Sequence, residues 1–194
     1  MFNPEIYTER RNALRKLMPS GIILLPGNTE AAYNYAANTY TFRQDSNFSY
    51  FFGLENPDFV GVMDIDNGTD YIFGNDFEID DVIWMGPQPK VIDLAAKVGV
   101  KNTSTLNELG VFLNNAIRKR RPVHFAPAYR AETTLQLSNL LGLTPSRIRD
   151  YASLPLIEAI VELRSIKADI EVAEIEEAIE AAWHMFTTGM RMAY

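Results

Sequence analysis

Short apolar runs in the first two thirds of the chain predict a β-sheet. Residues 22–25 form a continuous apolar run closed by a Pro-Gly pair, which indicates a strand buried on both faces. The apolar runs 59–65 and 71–73 flank an Asp-Asn-Gly turn, and Asn-Gly between two such runs is a strong signal for a β-hairpin. Residues 123–125 add a further short strand.

Helical patterns with recognisable end signals lie between these strands. One predicted helix begins after the cap residue Asn3, and another begins at the capping-box pair Thr105 and Glu108. Two more predicted helices cover residues 91–98 and 131–141. Strands that alternate with helices in this way predict an α/β domain, a mixed β-sheet flanked by helices, over residues 1–160.

Residues 40–54 join a polar loop directly to an aromatic run. Phe48, Tyr50 and Phe52 alternate with Ser49 and Phe51, and this period of two predicts a strand entering the core. In the loop before it, we expect Arg43, Gln44 and Asp45 to be structural residues that pin the loop to the mouth of that strand through charge-assisted hydrogen bonds.

The pattern changes after residue 154. From Asp169 onward, apolar residues recur at spacings of three and four, which predicts one long amphipathic helix with glutamates on its other faces. The apolar residues of this stripe are Val172, Ile175, Ile179, Trp183, Phe186 and Met190. Such a stripe needs a partner surface, so the chain is expected to stop one element into a second domain, at residues 161–194.

Composition narrows the classes of function. Of the 194 residues, 47% are hydrophobic and 22% charged, as in ordinary globular proteins. The formal net charge of −7 argues against a nucleic-acid partner, because phosphate binding requires a basic surface. The absence of cysteine, of a signal-peptide pattern and of a membrane-spanning apolar run predicts a soluble cytoplasmic protein that does not bind a membrane.

Candidate catalytic groups are few. The chain has only two histidines and no Gly-x-Ser-x-Gly or glycine-rich phosphate motif. Asp64, Asp66 and Asp70 lie close together in sequence, but they lack the loop length and closing glutamate of a calcium site, so we interpret them as turn residues. This chemistry favours a binding or supporting domain over a catalyst, with no catalytic residue and no metal ligand in the chain.

Three segments resemble a known family. They are Tyr40-Thr41-Phe42-Arg43-Gln44-Asp45-Ser46-Asn47-Phe48 with Tyr50-Phe51-Phe52-Gly53, then Ile83-Trp84-Met85-Gly86, and Glu162-Leu163-Arg164-Ser165-Ile166-Lys167 followed by Glu171. In order and spacing they resemble the N-terminal domain of Xaa-Pro aminopeptidase (aminopeptidase P), within the creatinase/prolidase family.

The resemblance implies a ribonuclease-H-like fold, as in creatinase N-terminal domains, over residues 1–160. Residues 161–194 would be the linker and first helix of a catalytic "pita-bread" metallopeptidase domain that the chain lacks. In that domain two manganese ions would activate a water for hydrolysis of the bond before proline. This chain alone is therefore expected to be inactive and to hold no cofactor.

The resemblance also implies roles for individual residues. Trp84 would line the substrate cleft, of its own or a neighbouring subunit, and Asn38 and Tyr40 would lie in a loop that reaches a neighbouring active site. Family members often carry an acid in that loop, where this chain has Ala37 and Asn38. The expected partners are a proline-containing peptide and further copies in a homo-oligomer, with the domain providing oligomer contacts and restricting access to the cleft.

Three alternatives remain from the sequence. The chain could be a stand-alone binding or scaffold module of the same fold, or the N-terminal domain of a prolidase-type dipeptidase. A nucleic-acid enzyme is suggested only by the ribonuclease-H-like fold, and fold alone does not imply function.

Overall fold

The computed structural model describes residues 1–193, which fall into two compact units, one spanning Met1–Ile160 and a second that begins at Val161. The helices are α1 (Pro4–Leu17), α2 (Ser46–Phe52), α3 (Ile79–Met85), α4 (Val91–Ala96), α5 (Leu106–Arg118), α6 (Ala131–Leu141), α7 (Leu154–Ser165) and α8 (Asp169–Met192), with a 3₁₀ helix at Pro145–Tyr151. The strands are β1 (Ile22–Pro26), β2 (Ala32–Tyr35), β3 (Asn38–Thr39), β4 (Val60–Asp64), β5 (Thr69–Phe73), β6 (Asn102–Ser104) and β7 (Val123–His124).

Five strands form one mixed sheet in the order β6-β5-β4-β1-β7. β4 pairs antiparallel with both β1 and β5, whereas β1–β7 and β5–β6 are parallel pairs. Residues 22–25 of β1 are all buried, and β4 and β5 form the hairpin at Asn67-Gly68. These observations confirm the predicted α/β class, the strand buried on both faces and the hairpin.

Helices cover both faces of this sheet. On one face, apolar side chains of β1, β4 and β5 pack with Leu109 and Leu113 of α5 and Leu137 of α6 in one buried cluster. On the other face, the Phe52 ring of α2 lies against Gly61 of β4 so closely that an added Cβ there would be 2.1 Å from the ring. The sheet is therefore the central layer between two helical layers.

The strand predicted for residues 48–52 is wrong, because these residues form helix α2. Phe48, Phe51 and Phe52 are fully buried, at the helical spacing of three and four, and the rings of Phe48 and Phe52 stack with centroids 5.5 Å apart. Asp45 caps the first turn, and Gly53 ends the helix in the left-handed conformation at φ +61°. The two caps enclose seven residues and so permit only a short helix here.

Arginines from other elements neutralise the three aspartates of the β4–β5 region. Arg121 donates hydrogen bonds to Asp64 and Asp66, and Arg11 and Arg15 donate to Asp70. Asp64, the last residue of β4, accepts from the backbone N–H of Asn67 and so stabilises the turn from its edge. Asp70, however, lies within β5, so its assignment as a turn residue is wrong.

The Arg11 side chain is completely buried and joins four segments. Its Nε donates to Asp70 at 2.8 Å, and its two terminal nitrogens donate to the carbonyl oxygens of Phe51 at 2.8 Å and Val98 at 2.9 Å. Burial lowers the pKa of its guanidinium, although the Asp70 carboxylate opposes that change. This network ties α1 to the end of α2 and to the turn after α4.

In the second unit, α8 confirms the long helix predicted from Asp169, and Glu171 accepts from the backbone N–H of Ala168 at its start. The predicted apolar stripe from Val172 to Met190 is exposed along the helix. None of the helices in residues 1–193 is both long enough and apolar enough to cross a membrane.

Candidate functional site

Gln44 is the central hydrogen-bonding residue of the Arg-Gln-Asp motif. Its side chain is only 5% exposed, and its Oε1 accepts from the backbone N–H of Asn28 at 2.6 Å and of Asp45 at 2.9 Å. Its Nε2 donates to the carbonyl oxygens of Leu54 at 3.2 Å and Asn56 at 2.8 Å. One amide thus satisfies backbone groups of three segments and fixes the loop after β1 against both ends of α2.

The side chains of Asp45 and Arg43, on either side of Gln44, differ in their hydrogen bonding. Asp45 Oδ1 accepts from the N–H groups of Asn47 at 2.9 Å and Phe48 at 3.0 Å, so it is the N-cap of α2. The Arg43 side chain is exposed and forms no hydrogen bond or ion pair within the part of the chain that the structure describes. Only its backbone carbonyl takes part in the anchoring, so its guanidinium is not the pin that the motif suggests.

Asn28 connects this motif to the segment before α6. Its Nδ2 donates to the Arg43 carbonyl at 2.8 Å and to the Tyr129 hydroxyl at 3.1 Å. Next to Tyr129, Arg130 donates from Nη1 to the Thr29 carbonyl at 3.1 Å. The loop after β1 therefore holds Arg43 on one side and Tyr129 and Arg130 on the other.

A surface cavity of about 460 Å³ lies among these segments. Its lining residues are Asn28, Thr29, Ala31, Tyr40, Thr41, Phe42, Arg43, Gln44, Ser46, Tyr129 and Arg130. Of the residues that the sequence singled out, the fold brings Tyr40, Arg43 and Gln44 together here. Asn38, Asp45 and Trp84 do not line this cavity.

Sequence reasoning missed Asn28, Tyr129 and Arg130. Each lies in an irregular segment, and Asn28 and its hydrogen-bond partner Tyr129 are 101 positions apart in the sequence. The Pro-Gly turn before Asn28 indicates a loop, but no local pattern in the sequence pairs that loop with residues 129–130.

Asn38 lies in a small two-stranded hairpin beside the cavity, formed by β2 and β3, and Tyr40 directly follows β3. The Asn38 side chain donates to Asn34 Oδ1 at 2.8 Å, and the Tyr40 backbone N–H donates to the Ala31 carbonyl at 2.9 Å. Tyr40 packs edge-to-face on Tyr33 with ring centroids 4.9 Å apart. The hairpin presents its tyrosines to solvent rather than to the core.

Trp84 lies on a different part of the first unit, near the end of α3. Glu78 precedes this helix, and its backbone N–H donates to Asp81 Oδ2 at 3.0 Å in a capping box. Trp84 is 88% exposed, and Ile79, Ile83 and Met85 of the same helix are exposed as well. No residue of α3 is buried, so the helix carries an apolar surface that nothing in the described part of the chain covers.

Asp58 is an acidic residue that contacts the loop after β1. The backbone N–H of Asp58 donates to the Asn28 carbonyl at 3.1 Å, and Asp58 has a left-handed φ of +62°. Burial and the neighbouring charge of Glu30 raise the pKa of the Asp58 carboxyl. Neither acid is among the lining residues of the cavity.

Within residues 1–193 there is no group of three or more histidine, aspartate or glutamate side chains that could hold a metal ion. The residues present therefore do not fit a two-metal centre.

The fold is shared with bacterial aminopeptidases. A putative aminopeptidase P from Bacillus anthracis superposes with a TM-score of 0.72 at 17% identity, over 91% of this chain and 43% of that one. Zinc-substituted Escherichia coli aminopeptidase P in complex with product gives a TM-score of 0.60 at 23% identity, over 73% of this chain and 33% of that one. At these identities the likeness concerns the fold.

Sequence comparison identifies the family. The model of the family "Aminopeptidase P, N-terminal domain" matches residues 7–124. A probable Xaa-Pro aminopeptidase of Aspergillus niger is 25% identical over 169 residues, which are 87% of this chain and 33% of that protein. The chain therefore belongs to the aminopeptidase P N-terminal domain family, and it spans about a third of the length of this curated relative.

Proposed function

We propose that this chain is the non-catalytic N-terminal part of a manganese-dependent Xaa-Pro aminopeptidase, in which it shapes access to the substrate and contributes oligomer contacts. The observation that carries this proposal is the exposed apolar surface of α3, with Trp84 at its end, in a chain of this family. Exposed apolar surfaces of this kind are typical of sites that contact a ligand or another protein.

The chemistry of Trp84 suits the proposed substrate. The indole ring offers a flat apolar wall, and a proline ring is a compact apolar group that packs on such a wall. Helix α3, which presents Trp84, is stabilised at its start by the hydrogen bond from Glu78 N–H to Asp81 and at its end by the hydrogen bond from Gly86 N–H to the Val82 carbonyl. Trp84 would therefore act by positioning the peptide, with hydrolysis left to residues outside this chain.

Hydrolysis of an Xaa-Pro peptide tests both parts of the proposal. Residues 1–194 alone, with added Mn²⁺, are expected to show no hydrolysis, whereas a longer protein with this chain at its N-terminus is expected to be active. Activity in the short chain would contradict the non-catalytic role. Lack of activity in both proteins would favour the binding or scaffold function.

Trp84→Ala in the longer protein tests the role of α3. We expect kcat/KM to fall about tenfold, mainly through KM, because loss of an apolar contact of this size costs about 1.5 kcal/mol. Trp84→Phe should restore much of the activity, and Leu135→Ala, an exposed apolar residue on α6, is the matched control. An unchanged kcat/KM in Trp84→Ala would refute the proposed contact.

Sedimentation of the longer protein as a monomer would refute the oligomer contacts.

A further inference from the structure

The residues that line the cavity beside the Arg-Gln-Asp motif carry positive formal charge, whereas the whole chain is acidic. The protein carries a formal net charge of −7, yet the cavity is lined by two arginines and by no aspartate or glutamate. Its other polar lining groups include the amide of Asn28 and the hydroxyl of Tyr129. Two arginines in one cavity attract anions to that place, and Glu30, between the lining residues Thr29 and Ala31, opposes part of this attraction.

The guanidinium of Arg43 is available for a ligand. It forms no hydrogen bond or ion pair within residues 1–193, whereas its backbone carbonyl is fixed by Asn28 at 2.8 Å. The base of the side chain is thus held by the buried Gln44 network, while the charged end remains exposed at the cavity. The Arg43 guanidinium therefore makes no hydrogen bond or ion pair that would stabilise the described fold.

The guanidinium of Arg130 is oriented by the protein but only partly used. Its Nη1 donates to the Thr29 carbonyl at 3.1 Å, and its Nε lies 3.6 Å from Glu132 Oε2. That ion pair is long, and Glu132 is itself exposed and outside the lining. The remaining nitrogen, Nη2, has no partner in the described chain, so a donor stays available at the cavity.

We propose that this cavity is a binding site for the oxyanion group of a small ligand, a carboxylate or a phosphate, held by the guanidinium groups of Arg43 and Arg130. Guanidinium groups bind carboxylate and phosphate through paired, charge-assisted hydrogen bonds. The volume of about 460 Å³ is within the range of small-molecule sites and leaves room for the body of a short peptide or organic acid. The Tyr129 hydroxyl, already bound to Asn28, adds a polar group at the same wall.

Titration monitored by amide chemical shifts tests this site in the full chain at constant ionic strength. The probes are inorganic phosphate, an N-acetylated dipeptide with a free C-terminal carboxylate, and the same dipeptide as its C-terminal amide. We expect saturable shifts around residues 28–31, 40–46 and 129–130 with phosphate, with the free-acid dipeptide or with both, and none with the amide. The probe that binds identifies the source of the oxyanion.

Three variants that each remove one positive charge separate this site from general electrostatics. Arg43→Gln and Arg130→Gln should each weaken binding about tenfold, because each removes a charge-assisted hydrogen bond to the oxyanion. Arg118→Gln, which changes an exposed arginine of α5 outside the cavity, should leave affinity within about twofold. Because Arg43 is exposed, Arg43→Gln should keep the wild-type spectrum elsewhere.

Three results would overturn the proposal. The first is the absence of saturable shifts at tens of millimolar phosphate and free-acid dipeptide. The second is equal affinity in wild type and Arg43→Gln. The third is equal weakening by Arg118→Gln, since that would show binding to the general surface charge.

Discussion

Replacement of Gln44 by leucine tests the central structural claim about the motif. Leucine has a similar volume, but it can neither accept from the N–H groups of Asn28 and Asp45 nor donate to the carbonyl groups of Leu54 and Asn56. Two of these bonds, to Asn28 and Leu54, are buried, and the other two are partly buried. The variant therefore leaves backbone groups without partners in places that water reaches poorly.

The magnitude follows from the number of buried groups. An unsatisfied buried polar group costs about 1–3 kcal/mol. The two partly buried groups regain some hydration, and leucine gains a little from its apolar surface, so we expect a net loss of about 3–4 kcal/mol. For a domain of this size, that loss corresponds to a decrease in Tm of about 6–16 °C.

Thermal and urea unfolding followed by far-UV circular dichroism measure this effect. The control is Gln88→Leu, because Gln88 is exposed and makes a single hydrogen bond, to the carbonyl of Met85 at 3.1 Å. That control should stay within about 0.5 kcal/mol of wild type. A loss below about 1 kcal/mol in Gln44→Leu would refute the conclusion that the four hydrogen bonds hold the loop and α2 together.

Two further predictions concern a glycine and an ion pair. Gly53→Ala should cost clearly more than Gly68→Ala, because both have φ near +60° but only at Gly53 would the new Cβ lie 2.1 Å from a ring atom of Tyr7. Equal losses in urea unfolding would contradict this. Burial alone would raise the pKa of Asp64, but hydrogen bonds from Arg121 and the turn lower it below its usual range. The free energy of unfolding should therefore fall as pH drops below about 4, because the unfolded chain takes up the proton at a higher pH than the folded protein does. In Arg121→Gln the midpoint of urea unfolding should fall less over the same pH range. Parallel curves of midpoint against pH for the two proteins would refute this linkage.

Elements with strong local signals were predictable from the sequence. The hairpin of β4 and β5 follows from an Asn-Gly turn, and Gly68 has the positive φ of +64° that such a turn requires. Helix α5 follows from the capping pair Thr105 and Glu108, whose reciprocal contacts are present. In these cases the residues that determine the structure are neighbours in the chain.

Helix α2 shows where local pattern was insufficient. Within residues 48–52, the aromatic residues at 48, 50 and 52 fit a strand period of two. Phe48, Phe51 and Phe52 also fit the helical spacing of three and four, so periodicity alone does not separate strand from helix. The caps at Asp45 and Gly53 distinguish the two structures, and both were visible in the sequence. Aromatic residues are common in strands, so the aromatic content favours a strand where the end signals indicate a helix.

The cavity is a product of tertiary structure. Its walls come from the loop after β1, the segment before α2 and residues 129–130, and the parallel pairing of β1 with β7 brings the last of these beside the first. The sequence marked Arg43 and Gln44 through a family motif but contained no signal for Arg130.

The sequence by itself thus determined the class of fold, the hairpin, most helices and the family, because these depend on short-range patterns and contiguous motifs. Only the tertiary structure decided that Gln44 rather than Arg43 is the anchor, that Asp70 pairs with Arg11, and that two arginines share one cavity. The physical reason is that hydrogen bonds and charges act between groups that are close in space, and folding places residues far apart in sequence within that distance.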